Sequence, residues 1–215
     1  MYLSDTAHPA VRTVVASDRP RIAGNVIHCN PAPSLYLLNA AALYKPHAVD
    51  QLGADLRSYD VDVAVSTETH FKSKHTDSVV LVPGYTVLRR DRDRRRGGGV
   101  ALYVRSSLPL SAWTFSGDDR TFDLLWSYVN GAFIGSLYYP PRPAYTVESL
   151  LNYIEQCVVE LNRDYPSSNT VLAGDFNLLP ESAVVERTGF DQLVQQPTRG
   201  ANALYLVFVS RPTHV

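Results

Sequence analysis

The sequence predicts a layered α/β fold. Three observations carry that expectation. Short apolar runs of strand length recur along the chain, segments with helical apolar spacing lie between them, and Asn130-Gly131 sits between two strand-like runs as a hairpin turn does. With 215 residues, 45% of them hydrophobic, the chain can bury a sizeable core in one domain.

Residues 1–33 hold several prolines, one cysteine and mixed polar residues with weak periodicity, and read as a poorly specified N-terminal leader to a domain over 34–215. Leu35-Tyr36-Leu37-Leu38 is a strand ending at Asn39. From Pro46 to Tyr59, apolar Val49, Leu52 and Leu56 have helical spacing, and Pro46 suits the first turn. Val61, Val63 and Val65 alternate with Asp62, Ala64 and Ser66, a strand that delivers Glu68. Tyr85–Leu88 and Val100–Val104 form two strands joined by residues 89–99. Phe122–Val129 and Ala132–Tyr139 pair across Asn130-Gly131. Thr146 is an N-cap, with Glu148 in the first turn of a helix whose stripe is Leu150, Leu151, Ile154, Val158 and Leu161. Val171-Leu172-Ala173 is a buried strand, Glu181–Glu186 a short helix, and Leu204–Val209 a last strand.

Bulk properties exclude several classes. The net charge of −1 is not that of a polycation, so affinity for nucleic acid must come from a local patch. The two cysteines, Cys29 and Cys157, are far apart and have no metal spacing, as in a reduced intracellular protein. No apolar run approaches the ~18 residues of a membrane span, and the N-terminus lacks the basic-then-apolar pattern of a signal peptide. The expected setting is nuclear or cytoplasmic, not secreted and not at a membrane.

The chemistry gathers at strand ends. Gly174-Asp175-Phe176-Asn177 follows an apolar run, and in extended backbone Asp175 and Asn177 would share a face. A carboxylate beside an amide suits a phosphate ester: one binds a hard cation or takes a proton, the other donates to a phosphoryl oxygen. An Asp/Asn turn after a strand is the plain alternative. Asn39, Glu68 and Tyr138 end three other apolar runs, and ligand sites in α/β sheets form where strand ends meet. A Mg²⁺ ion needs only one or two carboxylates, which Glu68 and Asp175 could supply.

In order along the chain, Asn39, Ser66-Thr67-Glu68-Thr69-His70, Gly97-Gly98-Gly99-Val100-Ala101, Tyr138-Tyr139-Pro140-Pro141, Gly174-Asp175-Phe176-Asn177 and Gln196-Pro197-Thr198-Arg199-Gly200 resemble the endonuclease/exonuclease/phosphatase superfamily. The likeness is strongest to the endonuclease domain of non-LTR (LINE-type) retrotransposon polyproteins, and it covers residues 35–210. It implies a four-layer α/β sandwich, two packed mixed sheets flanked by helices. It also implies hydrolysis of DNA phosphodiesters with Mg²⁺, or Mn²⁺ in its place, and a reverse transcriptase domain as partner in the same polyprotein. By the resemblance Glu68 is the metal-binding glutamate and Asn39 the asparagine beside metal and phosphate. Tyr138 is the phosphate-bonding tyrosine, Asp175 the aspartate that aligns or activates the attacking water, and Asn177 the neighbouring phosphate-orienting amide.

Two departures from the family pattern stand out. Tyr205 in Leu204-Tyr205-Leu206-Val207-Phe208 occupies a place where the resemblance expects an aspartate. A phenol with a pKa near ~10 is no carboxylate partner at neutral pH. The family's closing Ser-Asp-His is not found before Val215, and His214 does not match it, so the expectation is a C-terminally truncated domain with impaired turnover. Two other functions are compatible with the residues. One is a catalytically dead remnant that only binds; the other is a phosphoesterase of the same superfamily acting on a small phosphoester or lipid headgroup. The run Arg89-Arg90-Asp91-Arg92-Asp93-Arg94-Arg95-Arg96 reads either as a solvated loop with internal ion pairs or as a phosphate-gripping loop in which Arg89, Arg90, Arg92, Arg94, Arg95 and Arg96 contact DNA.

Overall fold

The computed structural model describes residues 13–15, 33–92, 96–118, 120–198 and 202–210. The strands are β1 (Thr13–Val15), β2 (Leu35–Asn39), β3 (Val63–Thr67), β4 (Tyr85–Arg90), β5 (Val100–Arg105), β6 (Leu110–Trp113), β7 (Asp123–Val129), β8 (Ala132–Tyr138), β9 (Asn169–Asp175), β10 (Asp191–Gln192) and β11 (Tyr205–Val209). The helices are α1 (Ala48–Ser58), α2 (Asp77–Val80), α3 (Val147–Asp164) and α4 (Glu181–Thr188). One sheet runs β1-β2-β3-β5-β4 and the other β10-β11-β9-β8-β7-β6.

Alternation along the strands builds the layers. Leu35, Leu37, Val63, Val65, Leu102 and Val104 point into the core shared with the second sheet. Tyr36, Ala64, Ala101 and Tyr103 point the other way, onto Leu52 and Leu56 of α1. Helix α3 covers the second sheet with Leu150, Ile154, Cys157 and Leu161. The result is helix, sheet, sheet, helix, as a mixed α/β sandwich requires.

Local chemistry explains the elements. Ser149 N–H donates to Thr146 Oγ1 at 3.1 Å, so Thr146 caps α3 as its sequence predicts. The β7–β8 hairpin turns at Asn130-Gly131, both at positive φ. Helix α1 starts at Ala48 rather than at Pro46, because His47 takes the N-cap position in a left-handed conformation. Strand β3 starts at Val63, and the Val61 carbonyl instead accepts the Tyr85 hydroxyl at 2.6 Å. Arg89 and Arg90 are not loop residues: β4 carries them into register with Ala101 and Val100. Thr13–Val15, inside the expected leader, pairs antiparallel with β2.

Strands β2 and β3 run parallel, and so do β8 and β9. Each pair is joined by a helical crossover, through α1 and α3, as parallel neighbours demand. Strand β11 is not a bare edge. Asp191 and Gln192 pair with Val209 and Phe208, Leu193 N–H donates to the Val207 carbonyl at 2.9 Å, and Thr198 Oγ1 accepts from the N–H groups of Leu204 and Tyr205 at 2.8 and 3.0 Å. Among the described residues no helix is long and apolar enough to cross a membrane.

Gly174 is the tightest point of the second sheet. Its φ is +151°, and a Cβ there would lie 1.9 Å from the Leu137 carbonyl oxygen on the paired strand. Gly174→Ala must therefore move β9 away from β8. We expect it to cost about 3 kcal/mol or more, read as a Tm lowered by roughly 6–12 °C; an unchanged thermal melt would contradict that close approach.

Candidate active site

The two parallel pairs place four strand C-terminal ends together at one mouth of the sandwich. Asn39 is the last residue of β2 and Glu68 follows β3; Tyr138 is the last residue of β8 and Asp175 the last of β9. The first two come from one sheet and the last two from the other. Asn39 joins them: its Nδ2 donates to Asp175 Oδ2 at 2.7 Å and to Glu68 Oε1 at 3.0 Å. Tyr138 donates its hydroxyl to the same Glu68 oxygen at 2.9 Å. The Asn39 side-chain oxygen Oδ1 accepts the Ala41 N–H at 3.1 Å, which fixes the orientation of the amide.

Asn177 arrives differently from the expectation. Strand β9 ends at Asp175, so Asn177 is not placed by strand alternation. It lies in a left-handed turn, φ 44°, donates its backbone N–H to Asp175 Oδ1 at 3.1 Å, and donates its amide to the Tyr139 carbonyl at 2.7 Å. It thus holds the Asp175 carboxylate from one side while Asn39 holds it from the other. Asp175 is almost fully buried.

The loops at this mouth are unusual in backbone. Glu68, His70, Ala41 and Ala42 all have positive φ (50°, 54°, 43° and 93°). Pairing between the loops holds them there: Ala42 N–H bonds the Glu68 carbonyl at 2.8 Å, Leu43 N–H the Thr69 carbonyl at 2.9 Å, and His70 N–H the Gly98 carbonyl at 2.9 Å.

The electrostatics favour a protonated phenol. Burial and the neighbouring negative charges of Glu68 and Asp175 push the Tyr138 pKa far above its ordinary value, so it is a hydrogen-bond donor at any physiological pH. His70, which the sequence gives no role of its own, is brought to Glu68. The structure puts its Nε2 3.7 Å from Glu68 Oε2, with 27% of its side chain exposed. Burial is the main cause that holds its pKa below the ordinary 6.5, against the pull of Glu68. Its position two residues past Glu68 is the signal that could have flagged it. Tyr205 is the register partner of Asp175 on β11 and is buried, so the phenol lies beside Asp175 where the aspartate was expected.

The arginine run divides. Arg89 donates to the His75 carbonyl at 2.7 Å and lies over the Phe71 ring. Arg90 donates to the Leu124 carbonyl and to Asp118 Oδ2, both at 2.7 Å. Arg92 pairs with Asp123. These three reach inward to protein partners, and Arg90 and Arg92 cross from the first sheet to the second. Arg94 and Arg95 lie outside the described residues, as does His214. Arg96 is exposed and, with Lys45, Lys72, Lys74, His75 and Tyr44, lines an open cationic groove of about 460 Å³ that adjoins His70.

The family model described as the Endonuclease/Exonuclease/phosphatase family matches residues 22–213. No curated protein matches by sequence. Solved structures do match. The endonuclease domain of TRAS1, a telomere-specific non-LTR retrotransposon, is 15% identical, with a TM-score of 0.56 over 81% of this chain and 82% of that one. The 3'-5' exonuclease NExo from Neisseria meningitidis is 13% identical, with a TM-score of 0.59 over 82% and 86%. An AP endonuclease from Archaeoglobus fulgidus is 13% identical, with a TM-score of 0.53 over 81% and 85%. At these identities the likeness is one of fold.

The Arg90–Asp118 link makes a pH prediction. Burial alone would raise the Asp118 pKa, but the bonds it accepts from Arg90, the Arg120 backbone and Tyr153 outweigh that and leave it below its ordinary 3.8. A carboxylate depressed on folding stabilises above its unfolded pKa and loses that contribution as pH falls through the folded value. The Tm gap between wild type and Asp118→Asn should therefore be open at neutral pH and close progressively below about pH 4. A gap that stays constant down to acid pH would remove Asp118 from this role.

Proposed function

We propose, for a chain that belongs to the Endonuclease/Exonuclease/phosphatase family, that it binds DNA and hydrolyses its phosphodiesters slowly, with a divalent cation, in the manner of a retrotransposon endonuclease domain. The single observation that carries this reading is the Asn39 amide bonded at once to Glu68 and Asp175. It gathers two acidic groups from two sheets at one mouth, with donor groups around them, as attack on a phosphodiester requires.

The donor set suits a hard cation. Among the described residues no group of three or more His, Cys, Asp and Glu side chains gathers to hold a metal. Glu68 and Asp175 are the two carboxylates present, and Mg²⁺ takes one or two carboxylates with water and phosphate oxygens completing its shell. Mn²⁺ accepts the same oxygen ligands. When bound, the cation supplies charge stabilisation at the phosphate and acidifies a coordinated water.

The chain's own residues do the rest. Tyr138 and Asn39 donate O–H and N–H to Glu68 Oε1, and the same groups would donate to phosphoryl oxygens that gain charge when substrate fills the mouth. Asp175, held at Oδ1 by Asn177 and at Oδ2 by Asn39, has a fixed direction for accepting a proton from an attacking water. The groove of Arg96, Lys45, Lys72 and Lys74 beside it supplies the cationic track along which a strand's flanking phosphates run. That track favours DNA over an apolar lipid substrate. Structural neighbours that include a retrotransposon endonuclease domain, an AP endonuclease and a 3' phosphatase bound to a product DNA hairpin support the same choice.

A second reading is favoured by Tyr205. A phenol beside Asp175 cannot supply the negative charge that would orient a catalytic base, so a module that binds DNA and cation without turnover is the rival. Plasmid nicking under single-turnover conditions separates the two. With Mg²⁺, slow conversion of supercoiled to open-circular DNA should fall by about 10²-fold or more in Asp175→Ala. Glu68→Gln should weaken Mg²⁺ binding by about tenfold or more in calorimetric titration. DNA binding without any nicking would establish the rival; Mg²⁺ affinity unchanged in Glu68→Gln would remove that residue as a ligand.

A further inference from the structure

The glycine run and the arginine run meet beside Tyr138. Arg92 follows the end of β4 in the first sheet. Its guanidinium crosses to Asp123, the first residue of β7 in the second sheet, with Nε 3.2 Å from Asp123 Oδ1 and Nη2 on Oδ2. The Gly99 N–H also points to Asp123 Oδ2, at 3.4 Å. Asp123 is buried and is the register partner of Tyr138 on β8. The Arg92 guanidinium carbon then stands 5.8 Å from the centre of the Tyr138 ring, within the range of a cation–π contact.

The glycines make room for this. A Cβ on Gly98 would come within 2.5 Å of the Arg92 guanidinium carbon, and one on Gly99 within 2.9 Å of Thr69 Oγ1. The guanidinium therefore lies flat against backbone that only glycine leaves open, with both residues at positive φ (71° and 83°). A nucleotide-cradling role for these glycines would leave the inward course of Arg92 without a reason.

We propose that Arg92 and Asp123 are positioning residues that clamp the Tyr138 ring against Glu68, and that Gly98 is required so that the Arg92 guanidinium can reach them. The clamp joins the two sheets at the point where Tyr138, from one, donates to Glu68, from the other. The fork shape of arginine matters, since it bonds both Asp123 oxygens while its central carbon stands over the ring. Its effect on turnover rests on the hydrolase reading above; its effect on Tyr138 does not.

The test places 3-fluorotyrosine at position 138 in the full chain and follows its ¹⁹F resonance in wild type, Arg92→Met, Arg92→Lys, Asp123→Asn and Gly98→Ala. Wild type should give one narrow resonance. Arg92→Met, Asp123→Asn and Gly98→Ala should move and broaden it, and Arg92→Lys, which keeps the charge and loses the fork, should fall between. If Arg92→Met does not fold, Arg92→Lys and Gly98→Ala carry the comparison. In nicking assays Arg92→Met should lower kcat by about tenfold with KM little changed. Its loss should disappear when Tyr138→Phe is already present, because the clamp acts only through that phenol. A resonance at position 138 that ignores these replacements in folded protein overturns the proposal, and so do losses from Arg92→Met and Tyr138→Phe that simply multiply. A wild-type chain that does not nick would refute the hydrolase reading alone, and the fluorine comparison would still decide the clamp.

Discussion

One amide decides whether this site exists. Asn39 Nδ2 bonds Glu68 from its own sheet and Asp175 from the facing sheet. Two carboxylates brought to one mouth repel each other, and a donor between them offsets that repulsion without adding charge. An aspartate at this position would add a third negative group, and a leucine would leave two acidic groups unbridged. Every other feature of the mouth assumes that the two sheets keep a fixed separation so that this amide can reach both sides.

The core and the crossing ion pairs provide that separation. Leu37, Val65 and Leu102 meet Leu124, Trp126 and Leu137 across the interior, and such packing tolerates little displacement. At the rim Arg90 and Arg92 take over and reach from the first sheet to Leu124 and Asp123 of the second and to Asp118 in the loop before β7. Breaking either part-buried pair leaves one charge uncompensated in a largely desolvated place. The arginine run is thus as much a part of the frame as of the surface, and the cationic track beside the site comes mainly from lysines of other loops and from Arg96.

How much of this was legible in the sequence depends on how local the signal is. The Asn130-Gly131 hairpin, the Thr146 cap and the apolar stripe of α3 are written within a few residues each, and all three are where the sequence places them. The strand ends carrying Asn39, Glu68, Tyr138 and Asp175 were legible because an apolar run that stops at an oxygen-bearing side chain is also a local pattern. Strand β6 was not, since its Leu110, Ser111, Ala112 and Trp113 carry too little alternation to stand out. The two-residue β10 is defined only by its partner β11. The inward course of Arg90 and Arg92 was hidden for the same reason: their aspartates lie 28 and 31 residues away, and no spacing rule connects them. No local pattern gives His70 a role, yet the loop folds its ring back to Glu68.

The left-handed backbone around the mouth has a historical consequence. Ala41, Ala42, Glu68, His70 and Asn177 hold conformations that cost non-glycine residues about 1–3 kcal/mol each in unfavourable cases. Glycine adopts the same conformations without that strain. At Glu68 and Asn177, the two of these positions that the proposed reaction uses, chemistry and backbone stability therefore pull in opposite directions. Once selection for that chemistry lapses, glycine is the replacement the fold itself would reward. A lineage of copies that had stopped using the site would record its retirement there, as glycines accumulating around the mouth while the hydrophobic interior stayed intact.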